Sequence, residues 1–139
     1  MALIDSYPQI LAALCTWREG RGQSQEARRG IWWVLQNRIG NPLFRPSLVR
    51  VVLQPWAFSS FNANDPNVTK FPNEAVTQDW QAWLEILEIA ENPGEDNTDH
   101  AVYYESFDPS ELDVIRAKDS WFALDKLTVQ IGSVRFYRG

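Results

Sequence analysis

Cysteine, histidine and methionine each occur once in the 139 residues. Cys15 alone cannot close an internal disulfide, which excludes a cystine scaffold and any zinc site built on paired thiolates. No stretch approaches the roughly 20 apolar residues of a membrane span. Basic residues are the scarcer charge, 13 against 18 acidic for a net charge of -5. That balance argues against a nucleic-acid partner, because counterion release needs clustered Lys and Arg. The opening run from Met1 to Pro8 has no basic segment ahead of an apolar core and no small-residue cleavage site, so it does not read as a signal peptide. The expectation is synthesis in a cytoplasm. Internal repeats, low-complexity tracts and composition breaks are also missing, so residues 1–139 read as a single domain. A domain of this length buries about two-thirds of the surface its unfolded chain exposes and folds without metal or disulfide.

Aromatic residues are plentiful: seven Trp, seven Phe and four Tyr make 13% of the chain. Most such rings fill cores. A few lining a groove would present flat CH-bearing faces of the kind that stack on sugars.

The first 55 residues read as helical. Ile10, Leu11, Leu14 and Trp17 repeat at helical spacing after Pro8, and Gly20 and Gly22 are expected to close the helix in left-handed cap geometry. Ser24 suits an N-cap for a second helix whose stripe is Ala27, Ile31, Val34, Leu35 and Arg38, with Arg28, Arg29 and Gln36 toward solvent. Gly40-Asn41-Pro42 stops it. A short third helix is expected from Ser47 to Leu53, ahead of Pro55. From Trp56 to Asn73 turn formers alternate with aromatics, the composition of a functional loop. Glu74 to Glu91 is amphipathic, with Val76, Trp80, Trp83, Leu84 and Leu87 on one stripe. The tail changes period: His100–Ser106, Leu127–Ile131 and Val134–Tyr137 read as strands, the last two joined by a Gly132-Ser133 hairpin turn. About four helices with a three-stranded antiparallel sheet near the C-terminus make an α+β domain.

Elimination narrows the chemistry. A thiol–imidazole pair would require Cys15, on an apolar helix face, to meet His100. No Gly-X-Ser-X-Gly elbow, metal-ligand spacing or Gly-rich phosphate loop occurs. Carboxylates remain, and Glu19 stands out among them. It ends a helix beside apolar residues, and both the negative helix terminus and lost hydration favour its protonated form. A carboxyl that is neutral near pH 7 can act as a general acid on a leaving-group oxygen. The plainer alternative is an exposed Glu paired with Arg18 or Arg21.

These residues also carry a resemblance. The blocks Trp17-Arg-Glu-Gly-Arg-Gly-Gln23, Gly30-Ile-Trp-Trp-Val-Leu-Gln-Asn-Arg38, Pro42-Leu-Phe-Arg-Pro46, Val51-Val-Leu-Gln-Pro55, Phe58-Ser59, Ala101-Val-Tyr-Tyr104, Ser120-Trp121 and Ile131-Gly-Ser-Val-Arg-Phe-Tyr137 resemble, in order, the SleB/CwlJ-type cell wall hydrolase family. The resemblance implies a lysozyme-like fold and cleavage of the β-1,4 bond between N-acetylmuramic acid and N-acetylglucosamine, in lytic transglycosylases with a 1,6-anhydro-muramyl product. It places the family's catalytic Glu on Glu19. The chain departs from the family pattern at Gly20, Gln23, Ala57, the Ser60-Phe61 pair and Val134, which bears on subsite contacts.

A hydrolytic lysozyme would need a second carboxylate about 5 to 9.5 Å away, and Glu26, Asp65 and Glu105 are the candidates. A single-Glu transglycosylase needs none. Substrate-binding candidates are Arg21, Phe58, Ser59, Asn62 and Tyr104. Tyr103 and Tyr104 must face opposite sides of their strand, and Tyr104 is preferred for the substrate side. Arg21 is a candidate to orient Glu19 or bind a peptide-stem carboxylate, while Asn37 and Arg38 are read as ties between the second helix and its neighbours. The expected partner is the peptidoglycan glycan strand, acted on by a monomer without cofactor or metal, at the cell wall or periplasmic murein. A bacteriophage endolysin fits this description. The alternative in another class is a non-catalytic phage-tail or spore-coat binding module.

Overall fold

A computed structural model describes residues 7–44, 47–53, 70–106 and 124–139. The described chain runs α1 (Tyr7–Gly20), α2 (Gln25–Ile39), α3 (Leu48–Leu53), α4 (Thr77–Glu91) and β1 (Tyr103–Ser106). A 3₁₀ turn at Leu124–Lys126 then leads into β2 (Leu127–Ile131) and β3 (Val134–Tyr137). This is the expected α+β arrangement.

Helix α2 is the centre of the packing. Its N-terminus is fixed by Ser24, which is extended and accepts a hydrogen bond from the Ala27 N–H at 3.2 Å, satisfying one of the orphan donors of the first turn. Ala27, Ile31 and Val34 pack against Ala101, Val134 and Phe136 on the sheet side. Trp32 and Leu35 face the other way, toward Leu11, Cys15 and Trp17 of α1, Val51 and Val52 of α3, and Ile86 and Ile89 of α4. Tyr104 packs against both clusters, at the seam where helices meet sheet.

Two glycines set the close approaches. A Cβ at Gly30 would lie 2.4 Å from Cζ of Phe136, so the sheet can sit on α2 only because that side chain is absent. A Cβ at Gly20 would lie 2.9 Å from Cδ1 of Ile31, which brings the end of α1 against α2.

The left-handed cap expected at Gly20 and Gly22 does not form. Positive φ among the described residues is confined to Gly94, Asp99, His100 and Gly132. Instead the Arg21 N–H donates to the Trp17 carbonyl, and the Gln23 N–H to that of Gly20, closing α1 through turns.

Two further expectations are corrected. Arg28 is buried, not solvent-facing: Nη2 pairs with Glu85 of α4 and Nη1 donates to the Gln23 carbonyl. Apolar periodicity is blind to such a residue, because its stem packs as an aliphatic chain while its head finds a partner. Helix α4 buries Ala82, Ile86, Ile89 and Ala90, whereas Val76 and Leu84 are exposed and Trp83 and Leu87 sit at the margin. The buried face of α4 thus combines two alanines with two isoleucines, and Trp83 and Leu87 flank it. The helix also starts at Thr77, after an Asn73 turn whose Oδ1 accepts from the Ala75 N–H.

The sheet order is β1-β3-β2, all antiparallel, with Tyr104 opposite Phe136 and Glu105 opposite Arg135. Gly132-Ser133 joins Ile131 to Val134, and Gly132 has φ +58, the first-position glycine of a II′ hairpin turn. Strand β1 begins at Tyr103 because Asp99 and His100 take left-handed φ values of 53 and 64, which no strand accommodates.

Candidate active site

Glu19 is the penultimate residue of α1 and Tyr104 the second of β1. The Tyr104 hydroxyl donates to Oε1 of Glu19 at 2.8 Å, joining residues 85 positions apart. Gly20 makes this possible: without a side chain there, α1 ends close against α2 and the half-buried carboxylate faces the helix–sheet seam. Burial and then the charge of Glu19 push the Tyr104 phenol well above its usual value, so it remains a protonated donor. The Cys15 thiol, one turn before Glu19, is raised by burial first and Glu19 second. A neutral, buried thiol is not a nucleophile.

Arg38 of α2 completes the surroundings. It is buried, and its Nε donates to the Val102 carbonyl at 2.7 Å. Its guanidinium carbon lies 4.7 Å from the Phe44 ring centroid and 5.6 Å from that of Tyr103. Burial lowers Arg38 from its usual value, opposed by the charges of Tyr104, Cys15, Tyr103 and Glu19. The guanidinium stays a cation at neutral pH. The sequence reading of Arg38 as a tie to neighbouring elements describes its Val102 bond but misses its burial beside the Phe44 and Tyr103 rings. The available signal was its place on the apolar stripe of α2, since a charge on a buried face must be partnered.

The environment of Glu19 therefore holds more than a helix terminus and lost hydration. The Tyr104 hydroxyl gives the carboxylate a hydrogen-bond donor from the sheet.

The other anticipated residues fall as follows. Arg21 is half-buried with its guanidinium 4.7 Å over the Trp17 ring. Arg18 donates through Nε to the Lys70 carbonyl and lies 4.8 Å over Phe71. Phe58, Ser59, Asn62 and Asp65 lie outside the described residues. Glu26 is exposed and 3.7 Å from Arg29. Glu105 follows Tyr104 on β1 and so projects from the opposite face, where its Oε1 accepts from the Tyr137 hydroxyl at 2.5 Å. His100 is exposed and Cys15 fully buried, so they form no pair. Asn37 ties α2 to the following segment, donating to Asp96 at 2.9 Å and to the Ala101 carbonyl at 3.0 Å.

A separate cavity of about 380 Å³ is lined by Gln36, Asn37, Asn41, Pro42, His100 and neighbouring backbone, with no carboxylate side chain on its walls. Neither Glu19 nor Tyr104 lines that space.

Comparison with known proteins agrees with the fold. The chain belongs to the cell wall hydrolase family, whose profile matches residues 22–137, beginning three residues after Glu19. It is similar to the crystal structure of the catalytic domain of the Bacillus cereus SleB protein, with 25% identity, a TM-score of 0.67, and coverage of 96% of this chain and 91% of that one. It is also similar to the catalytic domain of a germination-specific lytic transglycosylase, SleB from Bacillus anthracis, with 25% identity, a TM-score of 0.65, and 96% coverage of both chains. The architecture is thus α+β and lysozyme-like. No curated protein matches the chain. No helix among the described residues is long and apolar enough to cross a membrane.

Proposed function

We propose that this protein degrades peptidoglycan by cleaving the β-1,4 bond between N-acetylmuramic acid and N-acetylglucosamine as a lytic transglycosylase, with Glu19 as both acid and base. Membership of the cell wall hydrolase family supports the substrate class, and likeness to a SleB lytic transglycosylase supports the reaction type. The observation that carries the assignment of Glu19 is its hydrogen bond from Tyr104 at the helix–sheet seam. Of the anticipated second carboxylates, Glu26 is turned to Arg29, and Glu105 to Tyr137 on the other face of the sheet.

In this reaction the protonated Glu19 gives its proton to the glycosidic oxygen as the C1–O bond breaks, releasing the N-acetylglucosamine hydroxyl. The 6-hydroxyl of the same muramic acid then attacks C1, and the Glu19 carboxylate takes the hydroxyl proton. An anhydro bond forms inside one sugar, no water is consumed, and Glu19 returns to its starting state. Tyr104 holds the carboxylate in one orientation through both transfers. Arg21, Phe58, Ser59 and Asn62 are proposed to bind substrate, and residues 1–139 to act as one catalytic domain.

Murein zymography tests this directly. Wild type should clear the gel, and Glu19→Gln should lose about 10²- to 10⁴-fold in activity, the usual contribution of a general acid–base group. Equal clearing by both proteins would remove Glu19 from the chemistry, and clearing by neither would remove the enzymatic reading.

A further inference from the structure

The cavity of about 380 Å³ lies at the C-terminal end of α2, where Gln36, Asn37 and Asn41 bring three primary amides together with the apolar surfaces of Pro42 and Val102. Its helical wall begins at Gln36, about 8 Å along α2 from Ile31, the residue against which Gly20 brings the end of α1. Nothing in the proposed cleavage uses this space. Among the described residues its walls carry no carboxylate, lysine or arginine, so a charged ligand would lose hydration there without gaining a counter-charge. The matching ligand is neutral.

Two of the amides are locked, in opposite senses. Asn37 spends its Nδ2 hydrogens on Asp96 Oδ2 at 2.9 Å and on the Ala101 carbonyl at 3.0 Å. A carboxylate and a carbonyl only accept, so Oδ1 is the end of Asn37 left open. Asn41 is held the other way: its Oδ1 accepts from the Leu43 N–H at 2.9 Å, which leaves Nδ2 as the open end. Neither open atom has a hydrogen-bond partner among the described residues, and neither is sealed from solvent. Gln36 adds an Nε2 that is enclosed without a partner, a state rarely left unanswered in native structures. His100 is held in its left-handed conformation by the bond from its N–H to Asp96 Oδ2, so this wall is set before a ligand arrives.

A fixed acceptor and a fixed donor on one cavity match the two polar groups of a secondary amide, its N–H and its carbonyl. Pro42 and Val102 supply the surface for an attached methyl group. Both sugars of peptidoglycan carry that group as an acetamido substituent, whereas the stem peptide also carries carboxylates, for which these walls hold no cation. With peptidoglycan taken as the substrate, we propose that this cavity is a second glycan-binding site, in which Asn37 Oδ1 accepts the N–H, and Asn41 Nδ2 donates to the carbonyl, of the acetamido group of a sugar that is not being cleaved. Such a site anchors the domain on its polymer, where a net charge of -5 provides no steering.

The test is a titration of the full chain, followed through the ¹⁵N side-chain amide signals of Asn37 and Asn41. The probes are the methyl glycoside of N-acetylglucosamine, methyl glucoside, which lacks the acetamido group, and the stem dipeptide L-Ala-D-Glu. The acetamido sugar should move both signals with a Kd on the order of 1 mM, and the other two should leave them in place. Unmoved signals, or equal movement by methyl glucoside, overturn the proposal, and movement by the dipeptide alone overturns its choice of a sugar. Asn41→Asp keeps the oxygen that accepts from Leu43 and exchanges the open donor for an acceptor, so it should weaken binding about tenfold or more. A Cβ at Gly40, also on the wall, meets nothing within 4 Å, so Gly40→Leu suits the fold, narrows the cavity and should weaken binding as well. Wild-type affinity in a folded Asn41→Asp overturns the proposal, and Gly40→Leu decides in the same way if Asn41→Asp does not fold. A monosaccharide glycoside has no bond to cleave between sugars, so the titration reads this site alone. Clearing of murein with unmoved amide signals strikes only this site, and moved signals with unchanged clearing by Glu19→Gln strike only the assignment of Glu19.

Discussion

At Glu19 local and distant influences meet. The helix terminus and partial burial are local to α1 and legible from the order of residues around Glu19. The Tyr104 hydroxyl that donates to its carboxylate comes from 85 positions away and needs the fold to assemble. Asp96 shows the same meeting of influences. Burial works to raise its pKa, but bonds from the Thr98 side chain and backbone, Asn37 and the His100 N–H outweigh it, and the net direction is down. A depressed folded value means stability present above the unfolded value and lost as pH falls through the folded one. Asp96→Asn should therefore cost about 1 kcal/mol near neutral pH, with the loss shrinking below about pH 4. Denaturant melts of the two proteins at pH 7 and pH 3 would check it, and a constant difference would contradict it. The network also explains why Asp99 and His100 hold left-handed conformations: Asp96 Oδ2 fixes the His100 N–H at 3.1 Å.

At the scale of elements, the helices, strands and hairpin followed from apolar spacing and glycine placement, because those signals report on one segment at a time. What failed was anything set between segments. Arg28 reads as solvent-facing until Glu85 of α4 is brought to it. The wide stripe of Trp80, Trp83 and Leu84 looks like the buried face of α4 until closer approach selects Ala82, Ile86 and Ala90. Gly20 reads as a cap, yet its role is interhelical clearance. Gly30 carries the same kind of constraint at the α2–sheet contact, and it gives a sharp expectation. Gly30→Ala improves helix propensity by up to ~1 kcal/mol but drives a methyl group into Phe136, an overpacking that costs about 1–3 kcal/mol. A net loss of stability should appear in thermal melts. Pairing it with Phe136→Leu should recover part of the loss, and a stabilised Gly30→Ala would show that the sheet yields without penalty.

At the scale of the whole molecule, net charge is the feature that most constrains how the domain meets its polymer. The chain carries -5, and peptidoglycan is itself anionic, so long-range steering does not draw the two together. Part of the aromatic excess serves the core: Trp17, Trp32, Phe136 and Tyr137 are fully buried. In the proposed reaction, binding rests on short-range contacts near the helix–sheet seam and cleavage on one carboxylate. The most direct test of that account is mass analysis of the fragments released from purified murein by wild type and by Glu19→Gln. Wild type should release fragments ending in 1,6-anhydro-muramic acid, and Glu19→Gln should release essentially none. Reducing ends in their place, or an unchanged product set from Glu19→Gln, would contradict it.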